Sequence, residues 1–60
     1  MKYLIIFTNP ETGKRQAFFT PWFEPENNFN PDVDMIVIDR TRNLVTFDGY
    51  GWEDIEENHL

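Results

Sequence analysis

Carboxylates are the side chains most able to do chemistry in this sequence, and they fall in clusters. Asp32 and Asp34 stand two apart, and Asp48, Glu53, Asp54, Glu56 and Glu57 crowd toward the C-terminal end. Oxygen-rich groups of this kind hold Ca²⁺ or Mg²⁺ when alternating Asp or Asn residues lead into a turn glycine and a distal Glu. Neither cluster has that order, so both read as solvated acids. Paired carboxylates also hydrolyse glycosides, provided one is desolvated in a sugar-binding cleft. A domain this small has little volume to make one.

Other chemistries lack their residues. There is no Cys and no Ser, and the hydroxyls are those of Thr8, Thr12, Thr20, Thr41, Thr46 and the tyrosines. The one imidazole, His59, cannot hold zinc alone or complete a triad. Gly49-Tyr50-Gly51 lacks the third glycine and the lysine of a phosphate-cradling loop and reads as a turn. The expectation is a non-enzymatic protein with no catalytic residue, no metal and no cofactor.

Recognition is what the remaining residues suit. Two segments interleave aromatic rings with acids: Trp22-Phe23-Glu24-Pro25-Glu26, followed by Phe29, and Tyr50-Gly51-Trp52-Glu53-Asp54, followed by Glu56 and Glu57. Rings that anchor and acids that speed encounter are what a surface for a basic protein uses. The partner-binding candidates are therefore Trp22, Phe23, Glu24, Glu26, Phe29, Tyr50, Trp52, Glu53, Asp54, Glu56 and Glu57. The competing reading is that the rings fold back to cap a small core.

The elements that must position them are mainly strands. Lys2 to Thr8 is apolar on both alternating sets, as in a strand covered on two sides. Asn9-Pro10-Glu11-Thr12-Gly13 turns the chain into a second strand from Lys14 to Thr20, where Phe18 or Phe19 is left partly exposed. Residues 21 to 34 hold three prolines, three asparagines, four acids and three aromatics without a regular period, and read as a long loop. Met35 to Asp39 and Leu44 to Phe47 flank Arg40-Thr41-Arg42-Asn43 as a second hairpin, with Asn43 suited to positive φ. After the Asp48 to Gly51 turn, Trp52, Ile55 and His59 fall at helical intervals, so residues 52 to 60 read as a short helix or an edge strand.

The fold expected is therefore mainly β: one domain over residues 1 to 60, with about four antiparallel strands from two hairpins, a Pro-rich loop between them and a short C-terminal helix. Lys14, Arg15, Arg40 and Arg42 lie at the two hairpin turns and would form one basic tip if the hairpins pointed the same way. Sixty residues bury only about 60% of the unfolded surface, so stability is marginal and a partner or second copy would help. No run approaches the length of a membrane span. The N-terminal apolar run breaks at Thr8-Asn9-Pro10 and reads as a strand rather than a leader, which with the absence of cysteine suggests a cytoplasmic protein.

Eleven acids against five bases give a net charge of −6, which disfavours direct nucleic-acid binding and favours a basic protein partner. Three readings follow: an inhibitor or adaptor that binds a basic surface, a DNA mimic that occupies a nucleic-acid-binding enzyme, and a structural homodimer. In size and charge the chain resembles small phage-encoded acidic proteins, a likeness that involves no motif.

Overall fold

The computed structural model describes residues 1–58 and is mainly β. Five strands, β1 (Tyr3–Thr8), β2 (Arg15–Thr20), β3 (Ile36–Asp39), β4 (Leu44–Thr46) and β5 (Trp52–Asp54), form one antiparallel sheet in the order β2-β1-β3-β4-β5. Two short helices, α1 (Pro25–Asn28) and α2 (Ile55–Asn58), and a 3-10 turn (Pro31–Val33) complete it.

Turn chemistry sets both hairpins. Gly13 adopts φ +72° and its N–H donates to the Asn9 carbonyl at 2.7 Å, while the Asn9 side-chain oxygen accepts the Glu11 N–H. Asn43 takes φ +59° in the second hairpin, the left-handed conformation that Asn tolerates. The hairpins join through β1 and β3, with Leu4 opposite Ile38 on one side and opposite Phe19 on the other. β1 is thus an interior strand, as its two apolar sets require.

Antiparallel pairing of β1 with β3 places the two hairpin turns at opposite ends of the sheet, so the single basic tip does not form. Instead Arg15 reaches Asp34, and Arg42 and Lys2 converge on Asp39. Residues 52 to 54 form the edge strand, with Thr46 opposite Trp52 and Leu44 opposite Asp54. The helix starts only at Ile55. The pairing supplies β4 with a second hydrogen-bonded neighbour and lets Trp52 pack on the sheet, which outweighs three more residues of an isolated helix. His59, assigned to that helix from its spacing, lies outside the described residues. Within the long loop, α1 and the 3-10 turn each open on a proline in the first turn, Pro25 and Pro31, where the missing N–H costs nothing.

Alternation gives the sheet two unlike faces. One carries Tyr3, Ile5, Phe7, Phe18, Val37, Thr46 and Trp52, and the loop of residues 21–35 lies over it: Phe23 meets Tyr3 and Trp52, with ring centroids 6.0 and 6.2 Å away. Ile5 and Val37 are buried beneath. The other carries Leu4, Ile6, Ala17, Phe19, Ile36, Ile38, Val45 and Glu53. Val45 is buried here, at the side of the sheet where α2 packs along β5. Toward β2 the same face opens, with Leu4, Ile6, Ile36 and Ile38 half-buried and Phe19 53% exposed.

Asp39 ties the second hairpin together. Its carboxylate is fully buried, accepts the N–H groups of Thr41 at 3.0 Å and Arg42 at 3.1 Å, and binds the Arg42 Nε at 2.7 Å, with Lys2 Nζ 3.9 Å away. Burial pushes the acid up, but the Arg42 guanidinium, the two turn N–H groups and the Lys2 ammonium together outweigh it. Asp39 is held below the usual carboxylate range.

Candidate protein-binding surface

The aromatic and acidic residues singled out by sequence divide into anchors that pack and anchors that project. Phe23, Phe29 and Trp52 pack. Phe23 stands edge-on to Trp52 with their planes at 90°, Tyr3 lies 6.4 Å from Trp52, and the Arg42 guanidinium covers the indole at 5.6 Å. Phe29 lies against Gly49 so closely that a Cβ there would stand 2.8 Å from its ring. These three rings cap one sheet face, the alternative role that their sequence setting allowed.

Trp22 and Tyr50 project, 55% and 67% exposed. Trp22 leaves the end of β2 with its carbonyl accepting the Thr20 hydroxyl at 3.1 Å. Exposed acids follow it. Glu24 takes the Asn27 amide on its carboxylate at 2.8 Å, and Glu26 lies in the first turn of α1.

Tyr50 sits at the tip of a turn that Asp48 organises. One carboxylate oxygen of Asp48 accepts the N–H groups of Tyr50 at 2.9 Å and Gly51 at 2.8 Å, and the hydroxyl of buried Thr46 at 3.1 Å. The Gly51 and Tyr50 N–H groups, then the Thr46 hydroxyl, hold the Asp48 carboxyl below its ordinary value. The Thr46 hydroxyl in turn accepts the Gly49 N–H at 3.0 Å. Gly49 takes φ +88°, which together with the neighbouring Phe29 ring makes glycine necessary there.

Trp22 and Tyr50 hang from opposite ends of the sheet, because β2 ends opposite Tyr3 whereas the Asp48 turn lies beyond Thr46, level with Ile5. The loop spans them: it begins at Trp22 and brings Phe29 against the turn that carries Tyr50. The remaining acids are distributed. Glu53 falls on the other face, next to Val45; Asp54 shares the Trp52 face and accepts the Glu56 N–H at 3.0 Å; Glu56 and Glu57 are exposed on α2.

Sequence reasoning missed Asp39 and Thr46, the two buried polar residues that brace the turns. Their signals were present in the spacing Asp39-x-x-Arg42 and in Thr46-x-Asp48-Gly49, both patterns of side chains that close a turn on backbone N–H groups.

Among the described residues there is no enclosed pocket, no group of three metal-ligating side chains and no helix long and apolar enough to cross a membrane. Comparison of the chain with protein-family models, with curated proteins and with solved structures finds no match.

Proposed function

We propose that the protein is a non-enzymatic binding module, an inhibitor or adaptor of phage-like type acting in the cytoplasm, which captures a basic protein surface on the outer side of its long loop. The observation that carries this reading is the exposure of Trp22 and Tyr50 on backbones that local hydrogen bonds hold in place. An indole and a phenol each rotate about only two side-chain bonds and so lose little side-chain entropy on binding, and such residues supply much of the energy of protein interfaces. Glu24 and Glu26 beside Trp22 add charge that attracts a basic partner and steers its approach. Phe23, Phe29 and Trp52 serve the surface from below by holding the loop on the sheet.

The test is a pull-down from host lysate with wild-type protein, Trp22→Ala, Tyr50→Ala and Glu24→Gln/Glu26→Gln, washed at low and moderate salt. The reading expects one basic protein retained stoichiometrically by wild type and lost by both aromatic variants, with the Gln pair losing it at a lower salt concentration. Retention that is indifferent to both aromatics overturns it, and if the retained protein binds nucleic acid that outcome favours the mimic.

A further inference from the structure

We infer that the outer edge of β2 is a strand-addition site, which takes an extended apolar segment of another protein, with a carboxylate at each end of the contact, as a further antiparallel strand. The inference does not depend on the loop-side reading, since it uses the edge of the sheet rather than the Trp22 and Tyr50 anchors.

Three observations carry it. First, the edge has an unused ladder. The Asn9 N–H donates to the Lys14 carbonyl and the Arg40 N–H to the Lys2 carbonyl, both at 2.8 Å. Bonded pairs alternate along an antiparallel ladder, so with Arg15 opposite Thr8 and Thr20 opposite Tyr3 the main chain of Gln16, Phe18 and Thr20 bonds to β1. The N–H and C=O groups of Arg15, Ala17 and Phe19 point away from the sheet, and no turn or loop bond among the described residues uses them. An added antiparallel strand exchanges two bonds with each of these residues.

Second, only one of the two edges is guarded. β5 is three residues long, carries Glu53 and Asp54 and runs straight into α2, the short and charged form that natural edges take. β2 is six residues long, contains no proline and bears one charge, Arg15 at its first position. Residues 15 to 19 are all exposed, Phe18 by 47% and Phe19 by 53%.

Third, the side chains along this edge specify the occupant. Although the net charge is −6, Lys14 and Arg15 stand at one end and Arg40 at the other, its guanidinium over the Phe19 ring at 4.9 Å. Lys14 and Arg40 form no ion pair among the described residues. Arg15 uses Nη1 alone, toward the Thr8 hydroxyl, the Asp34 carbonyl and, at 3.4 Å, the exposed Asp34 carboxylate. Between Arg15 and Phe19 on the same face, Ala17 is a notch with half-buried Ile6 behind it. A large apolar side chain opposite Ala17 leans over the notch, while carboxylates opposite Arg15 and Phe19 meet Arg15 and Arg40. At about 0.15 M salt the screening length of about 8 Å damps repulsion from distant acids but leaves these contact pairs intact.

The probe is the acetylated and amidated peptide Glu-Val-Leu-Val-Glu, a palindrome that sets Leu opposite Ala17 and a Glu opposite each of Arg15 and Phe19. It is titrated to about 1 mM into isotope-labelled protein at that ionic strength and followed by backbone amide NMR and hydrogen exchange. The Arg15, Ala17 and Phe19 amides are expected to shift and to exchange more slowly, whereas exchange at Gln16, Phe18 and Thr20, already bonded to β1, changes little. Lys-Val-Leu-Val-Lys is expected to bind at least about tenfold more weakly. N-methylation of the central Leu, whose N–H faces β2, is expected to abolish binding, and N-methylation of a Val, whose N–H faces away, to leave it within about threefold. Ala17→Pro, which removes an N–H that β1 does not use, is expected to lose the peptide with the fold intact by circular dichroism; if that variant unfolds, the methylated peptides decide.

β2 amides that do not move at the highest peptide concentration overturn the inference. So does binding indifferent to the central N-methyl group or to charge reversal. Slow exchange at Arg15, Ala17 and Phe19 that rises with protein concentration in the absence of peptide also overturns it, by giving the edge to a second copy.

Discussion

Replacing Asp39 with Ala removes the carboxylate on which two turn N–H groups, Arg42 and Lys2 converge, and the loss can be worked out bond by bond. Its two turn hydrogen bonds, to the Thr41 and Arg42 N–H groups, contribute about 1 kcal/mol each. The Arg42 ion pair adds less than a buried pair would, because that side chain is 55% exposed; a discounted figure is about 0.5–1 kcal/mol. The sum, about 2.5–3 kcal/mol, corresponds to a fall of roughly 15 °C in Tm for a domain of this length. The sign of the pH dependence follows from the lowered pKa. A carboxyl that titrates lower folded than unfolded stabilises fully above its unfolded value of about 3.9, and that stabilisation is lost as pH falls through the folded value. The gap between wild type and Asp39→Ala should therefore be widest near neutrality and narrow below about pH 4. Asp39→Asn, which keeps an oxygen for the turn N–H groups, should lose only the ionic part, about 1 kcal/mol. Thermal unfolding followed by circular dichroism at pH 7 and pH 2.5 measures all three. A Tm for Asp39→Ala within about 5 °C of wild type at pH 7, or a gap of equal size at pH 2.5, would refute the reasoning.

Three further outcomes follow from the same structure. Gly49→Ala should cost about 2–4 kcal/mol, from a strained positive φ and a Cβ pressed into the Phe29 ring, whereas Gly13→Ala, with nothing within 4 Å, should cost only about 1; equal urea midpoints for the two would count against the Phe29 contact. Thr46→Val keeps the shape of a fully buried side chain but strips the Gly49 N–H of its acceptor. A loss of about 1–3 kcal/mol and faster hydrogen exchange at that amide are expected, and unchanged exchange would contradict the assignment. Phe23→Ala should lower stability by about 2–4 kcal/mol while Trp22→Ala changes it by less than about 1, a contrast that equilibrium unfolding reads directly.

Most of the sheet was legible because its signals are local. Apolar runs marked the strands, and Gly13, Asn43 and the Asp48-Gly49 pair marked the turns that join them. β5 was ambiguous for a physical reason: Trp52 and Ile55 satisfy helical spacing, and what favours the strand is the vacant edge of β4, six residues back across the Asp48 turn, which a periodicity read over residues 52 to 60 does not include. The separation of the basic turns likewise depends on the antiparallel joining of β1 to β3, which no window of sequence contains. Neighbouring residues of the loop show the same limit at the candidate surface. Trp22 and Phe23 are alike in type and adjacent, yet Phe23 packs on Tyr3 and Trp52 while Trp22 is turned out. Which of two rings faces the sheet is decided by the path of the loop across it, and that path depends on where β3 begins.

The junction of β1 with β3 also shapes how the chain must fold. Each hairpin closes over only a few residues and can form within microseconds, but Leu4 and Ile38 meet across thirty-odd residues of intervening chain. Until they do, β1 and β2 are a two-stranded ribbon, marginal in water by itself, and β3, β4 and β5 a three-stranded meander that lacks its neighbour along β3. Cooperativity in this protein therefore resides in one seam. Weakening the Leu4–Ile38 pairing should therefore slow folding and release both halves together.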